Sequence, residues 1–472
     1  MTSAIHDQAM QYIFKQVLER LLDGMSQAQR ASLQLLIQRL MIAAGGPERI
    51  GSFRLLVLYS GDPHSCNVLS WLRAAQLSIA SRSPATFAMR VLVAPRIGGF
   101  GEAASQHGRC LDTLFLQDDP RVELLMVEGH GVVPFCSRRL MSLRVQPAER
   151  EMLLAFGHLC EGQPQSLLGC WQLLAQAETC RRVLDWRGGV DALVTGMPLR
   201  QRQRLLAWAR RCLRLADLAS ILPPEQCARS LIEGLATLHA QMVGQCLDGA
   251  SRSCLEAWDS WSGAFLRVIV IDDLMQPPSA RQPSEVPDAP WAAATPAGGA
   301  LSVCFDPLLA AHVHGLHAEL HEWTDYAQGL AEAGLSERLS AQQAQSWRKQ
   351  AERALMMTHA ITTPQLKCLL CAPFTDQGAR LEAFVELCYP EMHVALPYLH
   401  LALQGQRCPE AVAQWLTTAS GLPLSRLQAL YAYGARQANS ALLASLARRD
   451  CGLRYVAPQR RGGSRGAAGR RP

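Results

Sequence analysis

Apolar residues recur with two different periods along this chain, and the change of period marks its layout. Met10, Ile13, Phe14, Val17, Leu18, Leu21 and Leu22 fall at i, i+3, i+4 and i+7, which places them on one face of a helix. A second helical pattern follows Ser26, a good N-cap residue, carries Leu33, Leu36, Ile37, Leu40 and Met41, and stops at Gly45-Gly46. Residues 1–48 therefore read as a helical hairpin that packs against something larger.

From residue 53 the apolar positions become continuous and short. Phe53–Tyr59, Ala88–Ala94 and Val122–Val127 are strand-like runs, with helical patterns at about 65–77 and 102–116 between them. Strand, helix, strand, helix, strand at this spacing predicts a parallel sheet with helices packed on it. A later run, Phe265–Ile271, extends the same sheet after a helical stretch. The expected fold class is α/β plus all-α. A Rossmann-like domain covers 49–275 with a helical insertion at about 147–260, and an all-helical domain covers 301–455. Residues 276–300 (QPPSARQPSEVPDAPWAAATPAGGA) read as a Pro/Ala-rich linker, and 456–472 as an Arg/Gly tail whose composition predicts disorder.

Composition narrows the function classes. The chain has 472 residues, 49% apolar and 18% charged, enough for large buried cores. Only three of the 46 basic residues are lysines (Lys15, Lys349, Lys367). The net charge is +6, and Arg460, Arg461, Arg465, Arg470 and Arg471 of the tail supply most of that excess, so the remainder gives no general case for nucleic-acid binding. No apolar run is long enough for a transmembrane helix, and no basic-then-apolar leader opens the sequence. Sixteen cysteines spread through helical patterns read as reduced thiols of a cytoplasmic protein.

Several segments carry residue types with chemistry. Leu55–Ser65 (LLVLYSGDPHS) resembles the phosphate loop of ATP pyrophosphatases, which follows a strand with Ser-Gly-Gly-x-Asp-Ser. Ser60, Gly61 and Ser65 match; Asp62 replaces the second glycine and His64 the aspartate. The resemblance implies that Ser60, Gly61, Asp62, His64 and Ser65 lie at a ligand-binding edge. Arg96, beside Gly98-Gly99-Phe100-Gly101 after the second strand, would join them at an anion. Gly129-His130-Gly131 at the end of the third strand resembles the histidine motif of caspase-like cysteine peptidases, which implies a dyad of His130 with a thiol; Cys136 is the nearest. Val268–Asp273 resembles a Walker B strand, but no Gly-Lys-Ser/Thr accompanies it, which excludes a P-loop NTPase.

Two clusters have metal-ligand spacing. His314, His317 and His321 share a helix face, and Cys368, Cys371, Cys388 and His393 follow a C-x2-C-x16-C-x4-H pattern compatible with zinc. Arg200–Arg214, around Trp208, together with the tail, offers weak anion or nucleic-acid contact. Each catalytic pattern lacks a necessary member. The expected function is a non-enzymatic interaction, scaffold or regulatory protein: a degenerate Rossmann-like layer with a helical body that binds protein partners. The alternatives are a nucleotide-binding or hydrolytic enzyme using the sheet edge, with Asp272 joining the residues above, and a zinc-containing structural module.

Overall fold

The computed structural model describes residues 2–61, 63–93, 102–128, 131–136, 147–159, 171–216, 218, 227–246, 265–275, 307–322, 324–332 and 340–432. Among these, six strands form one sheet: β1 (Arg54–Tyr59), β2 (Ala88–Val93), β3 (Val122–Glu128), β4 (Gly131–Pro134), β5 (Ala192–Thr195) and β6 (Arg267–Val270). Their order is β4-β3-β2-β1-β5-β6. All pairings are parallel except β3 with the edge strand β4.

The central strands are buried on both faces, which is why they read as unbroken apolar runs. Leu55, Val57 and Tyr59 alternate with Leu56, so that successive side chains enter different cores. The first core also holds α1 (Thr2–Asp23), α2 (Gln27–Ala44), α3 (Pro63–Ala80) and α4 (Glu102–Thr113). The second holds Cys180, Val183 and Leu184 of α6 (Trp171–Leu184) with Ile232 of α8 (Cys227–Cys246). Helices on both faces and a β3-β2-β1-β5-β6 parallel order make this a doubly wound, Rossmann-like layer. The N-terminal hairpin belongs to it: α2 starts with a capping box between Ser26 and Gln29, ends at Gly45 with φ +87°, and packs on α3 and β6.

A buried ionic network ties α3 to the α4–β3 connection. Arg73 donates to Asp119 (2.6 Å), Gln76 (2.7 Å) and the carbonyls of Leu114 (3.1 Å) and Phe115 (2.9 Å). Asp119 also accepts from Arg121. Burial favours the neutral acid, but the hydrogen bonds from Arg121 and the charge of Arg73 hold the Asp119 carboxyl below its ordinary range.

The rest is helical: α5 (Pro147–Leu159), α7 (Leu199–Leu215), α9 (Pro307–His317) running into a π-turn (Ala318–Glu322), α10 (Tyr326–Glu332), α11 (Ala341–His359), α12 (Thr363–Cys371), α13 (Leu381–Cys388), α14 (Leu396–Leu403), α15 (Glu410–Ser420) and α16 (Leu424–Ala432). Helices of the 147–260 stretch and the C-terminal helices share a core. Leu154 and Phe156 of α5, Trp208 and Leu213 of α7, and Leu316, Leu369 and Leu427 lie in one continuous core. Arg150 of α5 donates to the carbonyls of Ala360 (2.9 Å) and Gly421 (3.1 Å) and to Gln365 (3.0 Å), while Glu151 pairs with Arg426 at 2.7 Å. No helix of the described residues is long and apolar enough to cross a membrane. The linker 276–300 and the tail 456–472 lie outside the described residues.

Candidate functional site at the carboxyl edge of the sheet

In a doubly wound sheet the strand order reverses at one point, and the crevice beyond the carboxyl ends of the two strands there is the usual ligand position. Here that point lies between β1 and β5, so the segments after Tyr59 and after Thr195 face each other. The sequence-predicted loop sits at this point. Gly61 takes φ +77°, open to glycine at little cost, and Pro63 starts α3. Ser60 and Ser65 are buried, with Ser60 Oγ donating to Ser65 Oγ at 3.4 Å.

His64 reaches across the crevice. Its Nε2–H donates to the Gly196 carbonyl at 3.0 Å. Gly196 is enclosed: a Cβ there would lie 2.5 Å from Val68, 2.6 Å from Met275 and 2.9 Å from the His64 ring. Side chains from α3 and from the segment after β6 therefore crowd Gly196, just past the end of β5.

The two carboxylates after β6 are engaged as well. Asp272 accepts from the Leu199 N–H at 3.1 Å, which caps α7, and from Arg202 at 2.8 Å. Asp273 takes both arms of Arg39, at 2.9 and 2.8 Å, and Arg39 also donates to the Val270 carbonyl. The Arg39 hydrogen bonds hold the Asp273 carboxyl below its ordinary range. A Walker B strand ends in a carboxylate that holds Mg²⁺; here Asp272 instead caps a helix and pairs with Arg202. Beneath the loop, the Tyr59 hydroxyl lies 3.6 Å from Cys66 Sγ, and a hydrogen bond with Cys66 together with burial pushes the Cys110 thiol upward.

Asp62, Arg96 and His130 lie outside the described residues. Cys136 is exposed just past the edge strand β4. In the arginine-rich α7, Trp208 is buried in the helical core while Arg200, Arg210 and Arg214 are exposed, an ordinary amphipathic division.

Each of the two metal patterns comes together only in part. His317 and His321 stack with ring centroids 4.6 Å apart, and His321 Nε2–H donates to the Leu370 carbonyl at 3.1 Å. Burial, with His321 and His314 nearby, lowers the His317 pKa to about 4. Cys368 and Cys371 lie on a regular helix, α12, with Leu369 and Leu370 in the core. Cys371 donates to the Cys388 sulfur, which lowers the Cys388 thiol and raises that of Cys371. His393 stands 3.8 Å from Glu382 and 3.7 Å from Glu386. Neither the histidine trio nor the cysteine–histidine quartet gathers three donor atoms within ligand distance of one another.

Sequence reasoning missed β5, Gly196 and the Asp272–Arg202 cap. The signal for β5 was Val190–Thr195, an apolar run held between Gly188-Gly189 and Pro198. No family model, curated protein or solved structure matches the chain. The fold and the site define the class: a doubly wound α/β layer whose switch point is bridged by its own side chains, joined to a large helical body.

Proposed function

We propose that this chain is a non-enzymatic interaction protein, in which a degenerate Rossmann-like layer is the platform and the helical body carries the partner-binding surface. The bridged switch point is the observation that carries this reading. A ligand laid across β1 and β5 would have to break the His64–Gly196 bond and displace Val68 and Met275. Asp272 and Asp273, the acids at the end of β6, are already paired with arginines. The helical body exposes Leu387, Val394 and Tyr398 within one short stretch, and Val394 is 84% exposed.

The presence of Ser60, Gly61 and Ser65 at the switch point favours a second reading, a small phosphorylated ligand held at this edge. One experiment separates the two. Tagged full-length chain is purified from its own cell extract, and retained proteins and small molecules are both identified by mass spectrometry. The retained protein is then recombined with pure chain on a sizing column. The interaction reading expects a stoichiometric complex that Val394→Glu with Tyr398→Glu weakens and His64→Ala leaves intact. A retained nucleotide or phosphorylated metabolite, with no stoichiometric protein partner and with retention altered by His64→Ala, overturns it.

A further inference from the structure

We propose that Glu382, Glu386 and His393 form a surface zinc site, independent of the functional reading above. Glu382 and Glu386 are one turn apart on α13, so their carboxylates share a face. The chain then reverses through Tyr389 into a 3₁₀ turn, Pro390–Ala395, that carries His393 back over this face. The reversal is held in place. The Tyr389 N–H donates to the Val385 carbonyl at 2.8 Å, the Met392 N–H donates to the Tyr389 carbonyl at 2.8 Å, and the Tyr389 ring packs edge-on against Phe384 and Trp415 at 5.6 and 5.2 Å. The imidazole is thus presented by a fixed turn rather than by a loose loop.

His393 Nε2 stands 3.8 Å from Glu382 Oε1 and 3.7 Å from Glu386 Oε1. All three donor atoms lie within 4.8 Å of one another, and no other trio of His, Cys, Asp or Glu among the described residues does so. A tetrahedral Zn²⁺ with bonds of about 2.1 Å places its ligands about 3.4 Å apart, so each histidine–glutamate edge has to contract by only about 0.3–0.4 Å. Exposed glutamate side chains supply this contraction by small rotations. Charge favours the same ion. Two carboxylates facing one imidazole leave negative charge uncompensated even when the ring is protonated, whereas a dication with neutral imidazole balances the trio. The fourth position is left for water, and a nitrogen-plus-two-oxygen set suits Zn²⁺ among the common divalent ions.

The test uses the full-length protein, reduced and stripped with chelator. It is titrated with Zn²⁺ against a colorimetric competitor and with Co²⁺ as an optical probe. His393→Ala and Glu386→Gln should each lose one site per chain or weaken it about 100-fold or more, beyond the cost of losing an outer-shell partner. Cys371→Ser with Cys388→Ser should leave that site in place, and its Co²⁺ spectrum should lack thiolate charge transfer. All three ligands are on the surface, so circular dichroism of the variants should match the parent. Parent-like affinity and stoichiometry in both His393→Ala and Glu386→Gln overturns the proposal. So does a sole tight site whose Co²⁺ spectrum shows thiolate.

Discussion

Mild acid should unfold the helical body, and the reason lies in three imidazoles with almost no access to water. His158, His312 and His359 are at most 3% exposed. Burial lowers the His158 pKa to about 3 and those of His312 and His359 to about 4. In the unfolded chain each titrates near 6.5. The unfolded state therefore binds more protons than the fold between these values, so stability is fully present above about pH 6.5 and is lost as pH falls through the window down to 3–4. At pH 5 each histidine has cost about 2 kcal/mol, from about 1.4 kcal/mol per pH unit over 1.5 units. Three together cost about 6 kcal/mol, comparable to the whole stability of an ordinary domain. His239 and His317, each lowered to about 4 by burial above all, act in the same direction.

The assay is urea unfolding followed by circular dichroism at intervals from pH 7.5 to 5. The midpoint should fall steeply below pH 6.5, above the range where carboxylates titrate. His158 isolates the cause, because neither ring nitrogen has a hydrogen-bond partner among the described residues and the ring packs 5.1 Å from Phe374. His158→Leu leaves no orphaned group behind. Relative to the parent it should gain about 2 kcal/mol between pH 7.5 and pH 5. Identical pH dependence in the parent and His158→Leu, or a flat midpoint across the range, would refute the reasoning.

Other substitutions probe the packing directly. Asp119→Asn leaves the Arg73 guanidinium buried without its counter-charge and should cost about 3–5 kcal/mol in urea unfolding, whereas Arg73→Met with Asp119→Leu should cost less than Asp119→Asn alone. Gly157→Ala drives a methyl to 2.2 Å from Leu369 across the α5–α12 contact and should lower stability by about 1–3 kcal/mol, read as a lower melting temperature. Gly196→Ala should cost a similar amount, about 1–3 kcal/mol, by pushing on Val68, Met275 and His64, and a companion His64→Ala should restore part of the loss.

How much of this the sequence disclosed depends on how far each determinant reaches along the chain. β1 and β2 were legible because strands covered on both faces need unbroken apolar runs, and β3 and β6 carry similar runs although they are only partly covered. The run that holds β5, Val190–Thr195, is interrupted by Asp191, and β4 spans only Gly131–Pro134, so both were passed over. The apolar face of α5 was visible as a pattern. What covers it, α12 and α16, was not, because amphipathicity reports that a face is buried and not by what.

The site follows the same rule. The Ser60–Ser65 loop was legible from its residue types and its place after a strand. Its closure was not, since His64 bonds a backbone carbonyl 132 positions away that leaves no mark in the sequence. The cysteine spacing has to be read together with the backbone that carries it. C-x2-C suggests a knuckle only where the chain turns, and Thr362 with Gln365 caps a helix that runs straight through Cys368 and Cys371. Along that helix the two leucines between the cysteines are core residues, so the thiols are held by hydrophobic packing. His393, counted as the quartet's last member, belongs instead with two glutamates that spacing rules for cysteine and histidine do not consider. Metal spacing in a sequence is therefore informative only after the helix caps around it have been read.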